Sequence, residues 1–137
     1  MRGLASLLAA TLLLAPSAGA GAKPEDDAEA AAKTWLELVD GGSYEASWDQ
    51  AAKLFQGAIT KEQWKQTAGG VRAPLGPVVS RKVKSRKYAE KLPGAPDGKY
   101  VVIQFDTVFQ NKSSAVETVT PMLDPDGVWR VSGYFVR

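Results

Sequence analysis

The last third of the chain constrains the fold most. Three runs, residues 100–110, 115–123 and 128–136, are dense in Val, Ile, Thr, Phe, Tyr and Trp, and only Asn111-Lys112-Ser113-Ser114 and Asp124-Pro125-Asp126-Gly127 separate them. Short β-prone runs bounded by turn formers predict an antiparallel meander. With four-residue turns, Gln110 stands opposite Ala115 and Leu123 opposite Val128. One face then carries Ile103, Phe105, Thr107 and Phe109 with Val116, Thr118, Thr120, Met122, Trp129, Val131, Gly133 and Phe135, and nothing on it ionises. The other carries Val102, Gln104, Asp106 and Val108 with Glu117, Val119, Pro121, Leu123, Val128, Arg130, Ser132 and Tyr134. The first is the expected core face. The second is half apolar, too much to leave in water, and Val102, Gln104, Asp106, Val108, Glu117, Val119, Pro121, Arg130 and Tyr134 form the candidate interaction face, most simply that of a homodimer.

Upstream, the apolar period changes from two to helical spacing. Ala28, Ala31, Ala32, Trp35, Leu38 and Val39 make one stripe, preceded by acids and stopped by Asp40-Gly41-Gly42. Ser43 is a cap candidate for a second helix with Tyr44, Trp48, Ala51, Ala52 and Phe55 inward. Thr60-Lys61-Glu62-Gln63 reads as a capping box for a third, with Trp64, Ala68 and Val71 inward and an exit over residues 72–77. Residues 78–88 read as a first strand, joined to the meander by a broad Pro/Gly turn. Three helices followed by four antiparallel strands predict an α+β domain with the helices on one sheet face.

The chain opens with Met1-Arg2, an apolar run over residues 4–15 and small residues near Ala20 and Ala22. That pattern describes a cleavable signal peptide over residues 1–22, hence a secreted protein, periplasmic in a Gram-negative bacterium. No stretch suits a transmembrane anchor. Residues 23–137 remain, about the length of one domain that buries roughly two-thirds of its unfolded surface.

Cysteine and histidine are both absent. Disulfides, thiolate chemistry, Cys-acylated anchoring and Cys or His metal ligation are therefore excluded, as is the commonest general base. Without Arg2, 16 basic residues face 15 acidic ones, so no global field steers the protein to nucleic acid or membrane. Neither a cofactor nor a metal is expected.

The run Arg81, Lys82, Lys84, Arg86 and Lys87 could meet an anionic surface, but on an edge strand lysines more commonly block unwanted strand addition. Trp35, Tyr44, Trp48, Thr107, Thr118 and Gly133 could line a cavity for a small apolar ligand, the glycine leaving a notch that an indole could equally fill. No catalytic set emerges. Asp106 and Glu117 fall on the face away from the helices, and no base is spaced to activate a serine or threonine.

Several stretches resemble one bacterial family. These are residues 35–40 (Trp-Leu-Glu-Leu-Val-Asp), Gly42-Ser43-Tyr44 with Ser47-Trp48, Gln63-Trp64, residues 72–76, the turn over residues 92–98, Val116-Glu117-Thr118-Val119-Thr120 and Trp129-Arg130-Val131-Ser132-Gly133-Tyr134. The family is one of secreted domains of unknown function, numbered 4019. The resemblance implies a cystatin-like, nuclear-transport-factor-like cone in which a curved sheet wraps the helices, and it transfers no catalytic residue. Two functions follow as expectations. The first is a non-catalytic binding module with a second copy or another periplasmic protein as partner. The alternative is a small-molecule isomerase or dehydratase of the steroid-isomerase type, which needs an ionisable group inside the cone. On this register Tyr44, Tyr88 or a helix carboxylate such as Glu37 or Glu45 would have to supply it.

Overall fold

A computed structural model describes residues 23–137; the expected signal peptide lies outside the described residues. The elements run α1 (Pro24–Asp40), α2 (Tyr44–Asp49), α3 (Lys53–Ala58), α4 (Lys61–Leu75), β1 (Val78–Ala89), β2 (Tyr100–Phe109), β3 (Lys112–Leu123) and β4 (Trp129–Val136). The strands form one antiparallel sheet in the order β1-β2-β3-β4, so β1 and β4 are its edges. The class is α+β, as expected, with four helices where the periodicity indicates three.

The difference arises at Gln50-Ala51-Ala52, where α2 and α3 part. The Ala52 N–H leaves helical pairing and donates to Val131 O on the edge of β4. Ser43, the expected cap, makes no side-chain capping bond, whereas the Thr60–Gln63 box forms in both directions. Helix α4 also runs on into the expected exit stretch, to Leu75, because the β2–β3 hairpin satisfies its last carbonyls. Asn111 N donates to Leu75 O at 2.9 Å and Asn111 Nδ2 to Pro74 O at 3.0 Å. The chain then turns through Gly76 at φ 73°, where an added Cβ would stand 3.1 Å from Asn111 Nδ2. Only glycine accepts that conformation and that closeness easily.

That docking also fixes the sheet register. The β2–β3 loop is Gln110-Asn111 alone, and β3 begins at Lys112 rather than Ala115. Ile103 therefore pairs with Val119 and Phe105 with Glu117, three residues from the expected alignment. An odd slip turns every side chain of β3 over. Glu117, Val119 and Pro121 face the helices, while Val116, Thr118, Thr120 and Met122 face away, which corrects the expected sets. Beyond its turn β4 is displaced by one residue, so Trp129 and Val131 keep the inward side. A bulge between Thr120 and Pro121 adds one more. Tyr134 consequently points inward, and Phe135 outward with 53% exposure.

The core lies between this face and the helices, chiefly α1. Ala28, Ala32, Trp35, Leu36 and Val39 of α1 meet Val101, Ile103, Phe105, Val119 and Val131.

Candidate functional site

The inward turn of Glu117 creates the most unusual feature of the interior. Its side chain is 0% exposed, and a buried carboxylate is tolerated only when paired and hydrogen-bonded. Here the partners come from β1, β2 and β4. Arg81 Nε donates to Oε1 at 2.8 Å, Thr107 Oγ1 to Oε1 at 2.6 Å, and the Tyr134 hydroxyl to Oε2. Arg72, from the buried stripe of α4, places Nη1 at 4.0 Å from Oε2 and lies over the Phe109 ring. Asp40, the last residue of α1, closes the set. It accepts from Arg72 at 2.8 Å and from Arg81 at 2.8 and 2.9 Å.

Two carboxylates and two guanidiniums thus form a neutral network that ties α1 and α4 to the sheet. Burial pushes the Asp40 carboxyl up, yet hydrogen bonds from Arg81 and Arg72 outweigh it and hold the group below the usual carboxylate range. Burial opposes the charge on Arg81, but Asp40 and Glu117 more than offset it and drive its pKa well up. Burial and the Glu117 charge both raise the Tyr134 phenol, which stays a protonated donor. Chemically the set is a closed clamp. Both oxygens of Glu117 hold donors, and with no accessible surface it touches no solvent.

Aromatic rings fill the remaining interior. Trp35 packs against Trp64, Phe55 and Tyr134 with centroids 5.8, 6.3 and 5.4 Å apart, and Phe55 meets Trp64 edge-on at 4.9 Å. Ser47 anchors two indoles, its carbonyl accepting from Trp35 Nε1 and its Oγ from Trp64 Nε1.

The candidate cavity residues are therefore dispersed. Trp35 is in the core, Tyr44 and Trp48 pack at its margin, and Thr107 belongs to the clamp. Thr118 and Gly133 face away from the helices, Gly133 opposite Thr120, because of the two register changes. Of the candidate interaction face, Val102, Gln104, Asp106 and Val108 do lie on the outer side. Glu117, Val119, Pro121 and Tyr134 do not. Arg130, opposite Met122, also falls on the outer side, where Asp124 and Asp126 of the β3–β4 turn hold it. The basic run divides likewise. Arg81 and Arg86 pair with acids on the helix side, Arg86 with Asp26 and Glu29, whereas Lys82, opposite Asp106, and Lys87, opposite Val102, fall on the outer side. Strand β1 is an edge, as its lysines suggest.

Sequence reasoning misses Asp40, Arg72 and Arg81 as partners. One signal was available: Arg72 falls four residues after Ala68 and eight after Trp64, which prolongs the buried stripe of α4. Among the described residues no group of three or more His, Cys, Asp or Glu could hold a metal ion, and no helix is long and apolar enough to cross a membrane.

Residues 31–134 match the family described as protein of unknown function (DUF4019). The chain belongs to that family. The matched span contains every member of the clamp, from Asp40 to Tyr134, so the network lies wholly inside the DUF4019 domain. A search of curated proteins finds no match.

Proposed function

We propose that this DUF4019 domain is a non-catalytic interaction module of a secreted protein, periplasmic in a Gram-negative bacterium, and that it holds its partner against the outer face of the sheet. One observation carries the reading. The register sends Glu117 inward and Phe135 outward, so the β2–β4 surface offers Val102, Val108, Val116, Met122 and Phe135 among threonines, with Asp106 and the ion-paired Arg130 as charges. Partly apolar faces rimmed by polar groups mark protein contacts more often than solvated surfaces. The simplest partner is a second copy of the chain.

Sedimentation velocity from micromolar to near-millimolar concentration tests this, with Phe135→Lys as the comparison. Concentration-dependent dimerisation that Phe135→Lys abolishes is the expected result. A monomer throughout, unchanged by the lysine, removes the second copy as partner.

The isomerase or dehydratase reading has one observation in its favour, the carboxylate inside the fold. Acid–base work there needs a base within reach of a substrate proton. Arg81, Thr107 and Tyr134 already occupy Glu117, and aromatic rings occupy the space a substrate would need.

A further inference from the structure

A groove of about 590 Å³ runs between α1 and β4, on the helix side of the sheet and apart from the outer face. Its volume falls within the range of small-molecule sites, about 300–1,000 Å³. The wall on α1 is a stripe at helical spacing, Ala31, Thr34, Glu37 and Leu38, in which the alanine leaves room that a larger residue would fill. Opposite stands Trp129, partly buried against the core, and Gln50 lines the groove as well.

The hydrogen-bonding state of this lining sets it apart. Of the four tryptophans, three spend their indole N–H inside the protein. Trp35 donates to Ser47 O, Trp48 to Ile59 O and Trp64 to Ser47 Oγ, each at 2.8 Å. Trp129 donates to no other described residue, and its Nε1 is not among the buried unpaired atoms, so solvent reaches it. The side chains of Thr34, Glu37 and Gln50 likewise have no hydrogen-bond partner among the described residues and are exposed. The guanidinium of Arg130 at the rim is already taken by Asp124 and Asp126.

The geometry points to a saccharide-binding groove, its ligand a short neutral oligosaccharide. A pyranose has one face of C–H groups and a rim of hydroxyls that both donate and accept. An indole supplies an apolar body with a polar tip, and here a carboxylate, an amide and a hydroxyl stand around it to meet the rim. An anionic ligand would face the free carboxylate of Glu37, and a proline-rich peptide wants a row of aromatic rings where this groove has one open indole. The inference is independent of the outer-face reading, since the two surfaces lie on opposite sides of the sheet.

The test is a ¹H–¹⁵N NMR titration of the full described domain within its whole chain, following the four indole N–H signals. The probes are chitotriose, maltotriose and a decaproline peptide, each up to about 10 mM, the weak end of specific binding. The expected result is that at least one saccharide moves the Trp129 signal while those of Trp35, Trp48 and Trp64 stay. Trp129→Phe keeps an aromatic ring but removes the donor; followed through the backbone amide signals of Ala31, Thr34 and Leu38 in the same titration, it should weaken binding about tenfold, one well-placed hydrogen bond. Glu37→Gln, at an exposed position, should weaken it severalfold with an unchanged melting temperature. The inference is overturned if neither saccharide moves the Trp129 signal, if only decaproline does, or if Trp129→Phe binds as tightly as the unmodified protein.

Discussion

Arg81 Nε and Glu117 Oε1 lie 2.8 Å apart although a whole strand, β2, separates their own. Thr107, the β2 residue between them, donates to the same oxygen at 2.6 Å. The contact draws three strands together on the helix side, and Asp40 extends it to α1. Glu117→Ala would strand two guanidiniums without their inner counter-ion. Removing one partner of a buried pair costs about 3–5 kcal/mol, and urea unfolding should show a loss of that size. A loss below about 1 kcal/mol, the range of exposed pairs, would mean that water screens the clamp.

Neighbours on β1 should behave oppositely. Arg81 has 15% side-chain exposure and two carboxylate partners, whereas Lys82 next to it is exposed with no ion pair among the described residues. Arg81→Ala should therefore approach the cost of Glu117→Ala, while Lys82→Ala should stay within about 0.5 kcal/mol, as surface changes usually do. Equal losses for the two would contradict the division of the basic run into paired arginines and free lysines.

The clamp also sets a pH dependence. Asp40 has a folded-state pKa below its unfolded value near 3.8. A depressed carboxyl contributes stability that is present above the unfolded value and is lost as pH falls through the folded one. The stability gap between the unmodified protein and Asp40→Asn should hold steady from neutral pH to about 5 and close below about 4. Melting curves measured from pH 7 to 3 check this. A gap that widens on acidification would reverse the assigned sign.

The elements were legible in the sequence because each rests on a local pattern: helical stripes in α1 and α4, the Thr60 box, and β-prone runs between turn formers. The clamp was not, because its register depends on a distant contact. Asn111 is bound by the last carbonyls of α4, which shortens the hairpin loop to two residues. No local rule near Asn111 announces a helix end some 36 residues upstream, and one odd slip there moved Glu117 from the solvent side to the core. The bulge at Thr120/Pro121 then did the same for Tyr134.

That register makes one last prediction, in which the two alignments disagree most. With four-residue turns, Val119 sits at the centre of the outer face, and Val119→Lys should leave the fold intact. In the structure Val119 is 0% exposed among Ile103, Trp35 and their neighbours, while Phe135 is 53% exposed on the other side. A lysine at position 119 would place an unpaired ammonium in the core, where burying a charge without a partner is strongly unfavourable. Val119→Lys should lose more than about 3 kcal/mol or fail to fold. Phe135→Lys should cost clearly less, about 2 kcal/mol at most, since only about half of its ring is buried and the lysine stem can cover part of that area with its ammonium in water. Urea melts of the two variants side by side decide between the alignments: a stable Val119→Lys with an unfolded Phe135→Lys would restore the four-residue turns and dissolve the clamp.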